Sequence, residues 1–236
     1  MNLALLVLTP FIGAALAAWA GSHGRLWSAY AAGAVTFSAL LFLIPSVAAV
    51  FDGETLLWRY DWLTSVGLSI GFRLDGLALL FALMILVIGL LVILYARYYL
   101  AERDPMGRFY AYLLLFQGSM LGVVLSENLI QLLVFWELTS ISSFLLISYW
   151  QHREDARRGA RMALAITGAG GLAMLAGFMM LGEIVGSYEL SVILQSGDII
   201  RSHPLYVPTL VLILLGVFTK SAQFPFHFWL PHAMAA

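Results

Sequence analysis

The chain has 236 residues, 62% hydrophobic and 11% charged, with a mean hydropathy of +0.93. A soluble domain carries about 25% charged residues, so too little polar surface is present to cover a globule, and the composition specifies an integral membrane protein. A net charge of −1 gives no sign of a nucleic-acid face or a polybasic lipid-binding tail, and zero cysteines exclude disulfide frameworks, iron–sulfur clusters, thiolate zinc sites and cysteine nucleophiles.

A helix rising about 1.5 Å per residue needs about 20 residues to cross some 30 Å of hydrocarbon. The apolar runs predict an all-α polytopic bundle with seven spans, at 2–20, 27–50, 74–97, 109–126, 128–149, 160–185 and 206–229. The first could be read as a secretory signal because Ala17-Ala18-Trp19-Ala20 offers a small-residue cleavage site. Met1 to Val7 holds no positive charge, however, so it is expected to be a retained span.

Between the second and third spans lies one long connection, in which Leu56, Trp58, Tyr60 and Trp62 alternate with other residues ahead of Thr64-Ser65-Val66-Gly67. This pattern predicts a short β-hairpin over 54–73, the competing reading being a loop with tryptophans in the headgroup belt. Asp75, following Arg73, is expected to cap the third span.

Arginines distribute unevenly over the turns. Those after spans 1, 3 and 5 hold Arg25, Arg97, Arg103, Arg108, Arg153, Arg157, Arg158 and Arg161, whereas the other turns hold only Arg59, Arg73 and Arg201. Because basic residues of short loops are retained in the cytoplasm, the amino terminus is predicted outside. Glu127 and Glu183 fall near outer span ends and read as solvated edge residues, with lining of an exit as the sharper alternative.

Two ionisable residues, Glu137 and Lys220, fall well inside the apolar runs, away from their ends. Glu137 lies nine residues into span 5, about 14 Å deep. Lys220, the single lysine, lies 14 residues into span 7, about 21 Å deep. Each costs roughly 2.5–3.5 kcal/mol to insert, and such residues face a cavity or a partner. Burial disfavours charge on both groups and a close opposite charge restores it. At about 4 Å and an effective dielectric near 20 their attraction is about 4 kcal/mol. Glu137 and Lys220 are therefore the candidate proton-transfer residues. The bland alternatives are a lysine snorkelling to the inner surface and a protonated glutamate hydrogen-bonding its neighbours.

Pro225 clashes with the carbonyl of Ser221 in a continuous helix, so span 7 is predicted to be discontinuous just after Lys220. Gln223, His227 and His232 follow as possible relay residues, since imidazole titrates near neutral pH. The glycine-rich run from Thr167 to Gly177 lies inside a span without a preceding strand and is expected to serve close helix packing, not phosphate binding. Five scattered histidines predict no metal centre, Ser142, Ser143 and Ser148 lack a His/Asp constellation for hydrolysis, and no cofactor is expected.

The segments "VFWELTSISSFLLI" (134–147) and "TKSAQFPFHFWLPHAMAA" (219–236) resemble the signature segments of the antiporter-like subunits shared by respiratory complex I, membrane-bound hydrogenases and Mrp-type multisubunit cation/proton antiporters. "FRLDGLALLFALMILVIGLLVILYARYYL" and "ITGAGGLAMLAGFMML" are most similar to the large antiporter-like subunit of the Mrp type. The resemblance implies that Glu137 and Lys220 are the family's glutamate of helix 5 and lysine of helix 7, with helix 7 broken at Pro225. It implies partnership with several small membrane subunits in exchanging Na+ for H+, and a transporter, not an enzyme. Subunits of this family are several times longer, so residues 1–236 correspond to the amino-terminal part of such a transmembrane domain. Two other functions stay open: a proton-pumping subunit of complex I or a hydrogenase, and a non-transporting scaffold.

Overall fold

The computed structural model describes residues 2–63 and 68–234; the turn expected at 64–67 lies outside the described residues. Among the described residues, eleven helices and two strands follow in chain order. They fall into two compact units, one comprising Met1–Trp58 and Phe72–Leu125, the other Arg59–Gly71 and Ser126–Ala236.

The first unit holds α1 (Leu3–Gly21), α2 (Arg25–Leu43), the short α3 (Val47–Phe51), α4 (Gly76–Tyr99) and α5 (Met106–Leu125). A 3-10 turn at Ile44–Ser46 joins α2 to α3, so one run spans Arg25–Phe51. In lipid, helices gain little from hiding apolar surface and associate through close packing instead. Small residues serve that end here. A methyl group on Gly21 would sit 2.7 Å from the Gly107 Cα, and one on Gly118 would sit 2.8 Å from the Phe11 ring, which brings α1 hard against α5. Inside this packing Thr36 donates to the Gln117 side-chain oxygen at 3.0 Å. Arg25 caps the end of α4 by donating to the carbonyls of Leu100, at 2.9 Å, and Ala101. Asp75 caps its start, accepting from Ala78 N at 2.9 Å while held by Arg73 at 3.2 Å.

Strands β1 (Leu56–Leu63) and β2 (Leu68–Leu74) pair as a two-stranded hairpin. The alternation of Leu56 and Trp58 decides its sidedness: both are half-buried while Leu57 and Arg59 are exposed, and Trp58 stacks on buried Phe72 at 5.9 Å.

The second unit is built on α7 (Glu154–Val185), flanked by α6 (Leu129–Ile147), α10 (Tyr206–Lys220) and α11 (Trp229–Met234), with α8 (Leu190–Gln195) and α9 (Gly197–Ser202) between α7 and α10. At 32 residues α7 begins six positions before the apolar run it was expected to match. Glu154 and Asp155 occupy its first turn, where acidic side chains favour the helix dipole, so the helix starts in polar sequence. It stops at Gly186, whose φ of 75° admits the left-handed turn that a side chain would resist. Leu129, Leu133, Met174, Phe178, Leu181 and Ile193 form the core of this unit.

Among the described residues, six helices are long and apolar enough to cross a membrane, and α10, at 15 residues, is a shorter apolar one. The seventh span is discontinuous. α10 ends at Lys220, Ala222 takes a φ of 52°, and helical structure resumes as a 3-10 turn at Phe226–Phe228 leading into α11.

Candidate functional site

The glycines of α7 set the site. Gly170 faces Thr219 of α10 and Gly171 faces Glu137 of α6, each so closely that a methyl group would overlap the partner's side-chain oxygen. Gly177 lies against Ile213, where a methyl would sit 2.7 Å away. Removing these side chains lets α6 and α10 both reach α7, and brings Lys220, the last residue of α10, within reach of α6.

Lys220 does not extend past the end of its own helix. Its ammonium donates to Ser140 Oγ at 2.6 Å and to the Trp136 carbonyl at 3.3 Å, and it lies 5.5 Å from the centre of the Trp136 ring. Both oxygens belong to the stretch of α6 that carries Glu137. A cation in the last turn of α10 also meets the negative end of that helix dipole. The Trp136 carbonyl accepts from Thr139 Oγ1 at 2.7 Å as well, so the acceptor is shared.

Lys220 and Glu137 are neighbours on facing helices, yet no ion pair within 4.0 Å joins them. The direct contact that their shared depth suggested is replaced by bonds to Ser140 and Trp136. Glu137 Oε1 and Trp136 Nε1 are both buried and neither has a hydrogen-bond partner in the protein. Orphaned polar atoms of this kind are rare in native structures, and two on one turn mark this stretch of α6 as the polar exception in an apolar helix.

Beyond Lys220 the chain turns through Ser221–Pro225, with a cis peptide between Phe224 and Pro225. Gln223 N donates to the Phe218 carbonyl at 2.9 Å, and the indole of Trp229 donates to the Thr219 carbonyl at 2.9 Å. These bonds occupy carbonyls that the end of α10 leaves open. Gln223, His227 and His232 are exposed, His227 stacking on Phe224 at 5.7 Å, and none of the three bonds to Lys220 or Glu137.

A second polar cluster escaped the sequence reading. Glu127 and Glu189 are both buried, at 5% and 8% exposure, although Glu127 was expected to be a solvated edge residue. Glu189 Oε1 accepts from Ser69 Oγ and from Asn128 Nδ2 at 3.2 Å, and lies 3.8 Å from Arg59. Glu127 Oε1 accepts from Ser191 N at 2.9 Å. Backbone bonds from Glu127 to Gly71, Leu129 to Tyr188 and Leu190 to Glu127 tie the start of α6 to the hairpin and to the turn after α7. One signal was present: Asn128 directly precedes α6 and caps it, accepting from Ile130 N at 3.0 Å. Glu183, by contrast, is exposed as expected of an edge residue.

Residues 126–236 match the family described as NADH:quinone oxidoreductase/Mrp antiporter, transmembrane, and residues 62–110 match the amino-terminal region of chain 5 of NADH-ubiquinone oxidoreductase, complex I. The chain is 57% identical over 234 residues to the A/B subunit of a probable K(+)/H(+) antiporter of Rhizobium meliloti, an overlap of 99% of this chain and 23% of that one. It is 49% identical over 197 residues to the corresponding large subunit of the Na(+)/H(+) antiporter of Alkalihalophilus pseudofirmus, covering 83% and 24% of the two chains. Among solved structures, the Mrp complex from Dietzia sp. DQ12-45-1b superposes with a TM-score of 0.89 at 32% identity, over 99% of this chain and 25% of that one. The chain thus spans about a quarter of the length of these relatives. A multi-pass membrane protein similar to antiporter-subunit chains over nearly its whole length, it belongs to the NADH:quinone oxidoreductase/Mrp family of antiporter-like membrane proteins.

Proposed function

We propose that these residues are the amino-terminal, proton-handling part of an antiporter-like subunit, working with other membrane subunits in a complex that exchanges a monovalent cation for protons. The observation that carries the reading is the placement of Lys220. The chain's single ammonium group ends an interrupted helix and binds Ser140 and Trp136, on either side of Glu137. In this reading Lys220 carries or gates the proton and Glu137 tunes it.

The geometry supports two states. With the ammonium on Ser140 and Trp136, Glu137 lacks a direct counter-charge. A small movement of the four-carbon stem towards Glu137 would raise their attraction to about 4 kcal/mol at ~4 Å and an effective dielectric near 20, which biases the state that holds the proton. α10 is interrupted after Lys220, and discontinuous helices are a common way for transporters to build ion sites. Gln223, His227 and His232 would extend the path beyond the break. The arginine bias supports an amino terminus on the outer side.

The relatives' names divide between K(+)/H(+) and Na(+)/H(+), and the more similar of the two compared is the potassium type. Sodium was the expectation from the sequence resemblance, so both cations belong in the test. Lys220→Ala and Glu137→Gln, each in the assembled complex, are expected to abolish or strongly reduce pH change driven by Na+ or K+ in everted vesicles. Unaltered exchange with normal assembly would replace this reading with the scaffold. The match of residues 62–110 to a complex I chain favours a second reading, a redox-driven pump subunit using the same pair; proton movement that depends on electron transfer and not on added cation would select it.

A further inference from the structure

The first unit carries a surface groove that the proton-handling reading does not use. It lies between α2 and α4, has a volume of about 440 Å³, and is walled by Gly33 and Phe37 on one side and Leu90 and Leu94 on the other, with Tyr30 and Arg97 at one end. The Arg97 guanidinium lies 5.3 Å from the ring centres of both Tyr30 and Tyr98. Among the described residues it makes no hydrogen bond or ion pair, although Glu102 and Asp104 follow closely in sequence. The contrast with Arg25 is direct, since that side chain is occupied by the carbonyls of Leu100 and Ala101.

We infer that this groove is a binding site for an anionic phospholipid, with an acyl chain along the α2–α4 cleft and the phosphate on Arg97. An apolar cleft on the outside of a membrane helix pair offers an acyl chain contacts on several sides in place of one. A guanidinium fixed between two tyrosine rings at a helix end presents a fork of donors that matches two phosphate oxygens. Basic residues at the ends of membrane helices attract anionic headgroups by the same electrostatics. The rings also restrict the side chain, so little rotamer freedom remains to be lost when phosphate binds. Gly33 keeps the cleft open: a methyl group there would meet no atom within 4 Å, so α2 presents bare backbone to the groove.

The full-length protein in its native complex, reconstituted in nanodiscs of mixed phosphatidylglycerol and phosphatidylcholine and then delipidated, tests this by mass spectrometry of the retained lipid. Both lipids offer the phosphate, but the choline cation cancels its charge, so the wild type is expected to retain phosphatidylglycerol over phosphatidylcholine by about five-fold, the scale of one basic residue facing an anionic headgroup. Arg97→Gln should lose that preference while still holding lipid. Gly33→Leu, which projects a side chain into the cleft from a position whose Cβ would meet no protein atom within 4 Å, should lose retention of both lipids with an unchanged melting temperature. Inorganic phosphate should not displace the lipid, because it lacks the chain. Equal retention of the two lipids by the wild type, an unaltered preference in Arg97→Gln, or displacement by phosphate alone would overturn the proposal. So would efficient cross-linking of Gly33→Cys to a neighbouring subunit, which would put a protein helix in the groove.

Discussion

Lys220 ends within hydrogen-bond reach of two oxygens of another helix, and the residues that receive it were not the ones its chemistry singled out. Rarity alone identifies Lys220 and Glu137 in the sequence, because a charge in an apolar run is conspicuous whatever its partners. Ser140 and Trp136 are common residue types in such runs, and only the rotation of α6 against α10 turns them towards the lysine. Hydrogen bonds to charged groups contribute about 1.5–3 kcal/mol. Ser140→Ala is therefore expected to slow cation-driven proton exchange about ten-fold, measured as the pH change in vesicles, with less effect than Lys220→Ala. The glycines of α7 make a sharper pair. Gly170→Ala drives a methyl to 2.7 Å from the Thr219 Cβ, which cannot swing clear, and should cost about 1–3 kcal/mol of stability. Gly168→Ala meets nothing within 4 Å and should be neutral or stabilising by up to about 1 kcal/mol, as helix propensity favours alanine. Thermal unfolding of the two variants in detergent separates them, and an equal loss would show that the glycines are not there for contact.

At the scale of elements, α10 shows how a broken helix is kept in lipid. Every freed carbonyl there needs a donor because water is scarce, and Trp229 supplies one to Thr219 from ten residues away in sequence. Trp229→Phe keeps the ring and removes the donor, and is expected to lower stability by about 1–3 kcal/mol, read as a fall in melting temperature; an unchanged melting temperature would mean that Thr219 finds another donor. A proline shortly after a polar residue announces interruption of a span. The path of the chain through that interruption depends on Trp229 and on Ala222, which adopts φ 52° although nothing in its sequence neighbourhood requires it. The hairpin has the reverse character. Its alternation of aromatic and other residues made strands readable, while its attachment to the start of α6 through Gly71, Gln131 and Glu127 involves residues about 60 apart in sequence.

For the whole molecule, helix lengths and arginine positions predict a topology that labelling tests directly. The chain has no cysteine, so single cysteines can be introduced without altering a native thiol. With the amino terminus outside, Asp198→Cys should react with an impermeant maleimide on intact cells, and Gln151→Cys should react only after permeabilisation. The opposite pattern would reverse the orientation.

Composition, the length of the apolar runs and the two intramembrane charges were determined by the sequence itself. Each follows from the transfer of single residues or single helices into hydrocarbon, and needs no knowledge of neighbours. Tertiary structure alone decided that Lys220 rests on Ser140 and Trp136 instead of pairing with Glu137, and that Glu127 and Glu189 are buried. Those outcomes depend on which faces of facing helices meet. In a membrane that choice is made by close packing at glycines and by the need to partner buried polar groups.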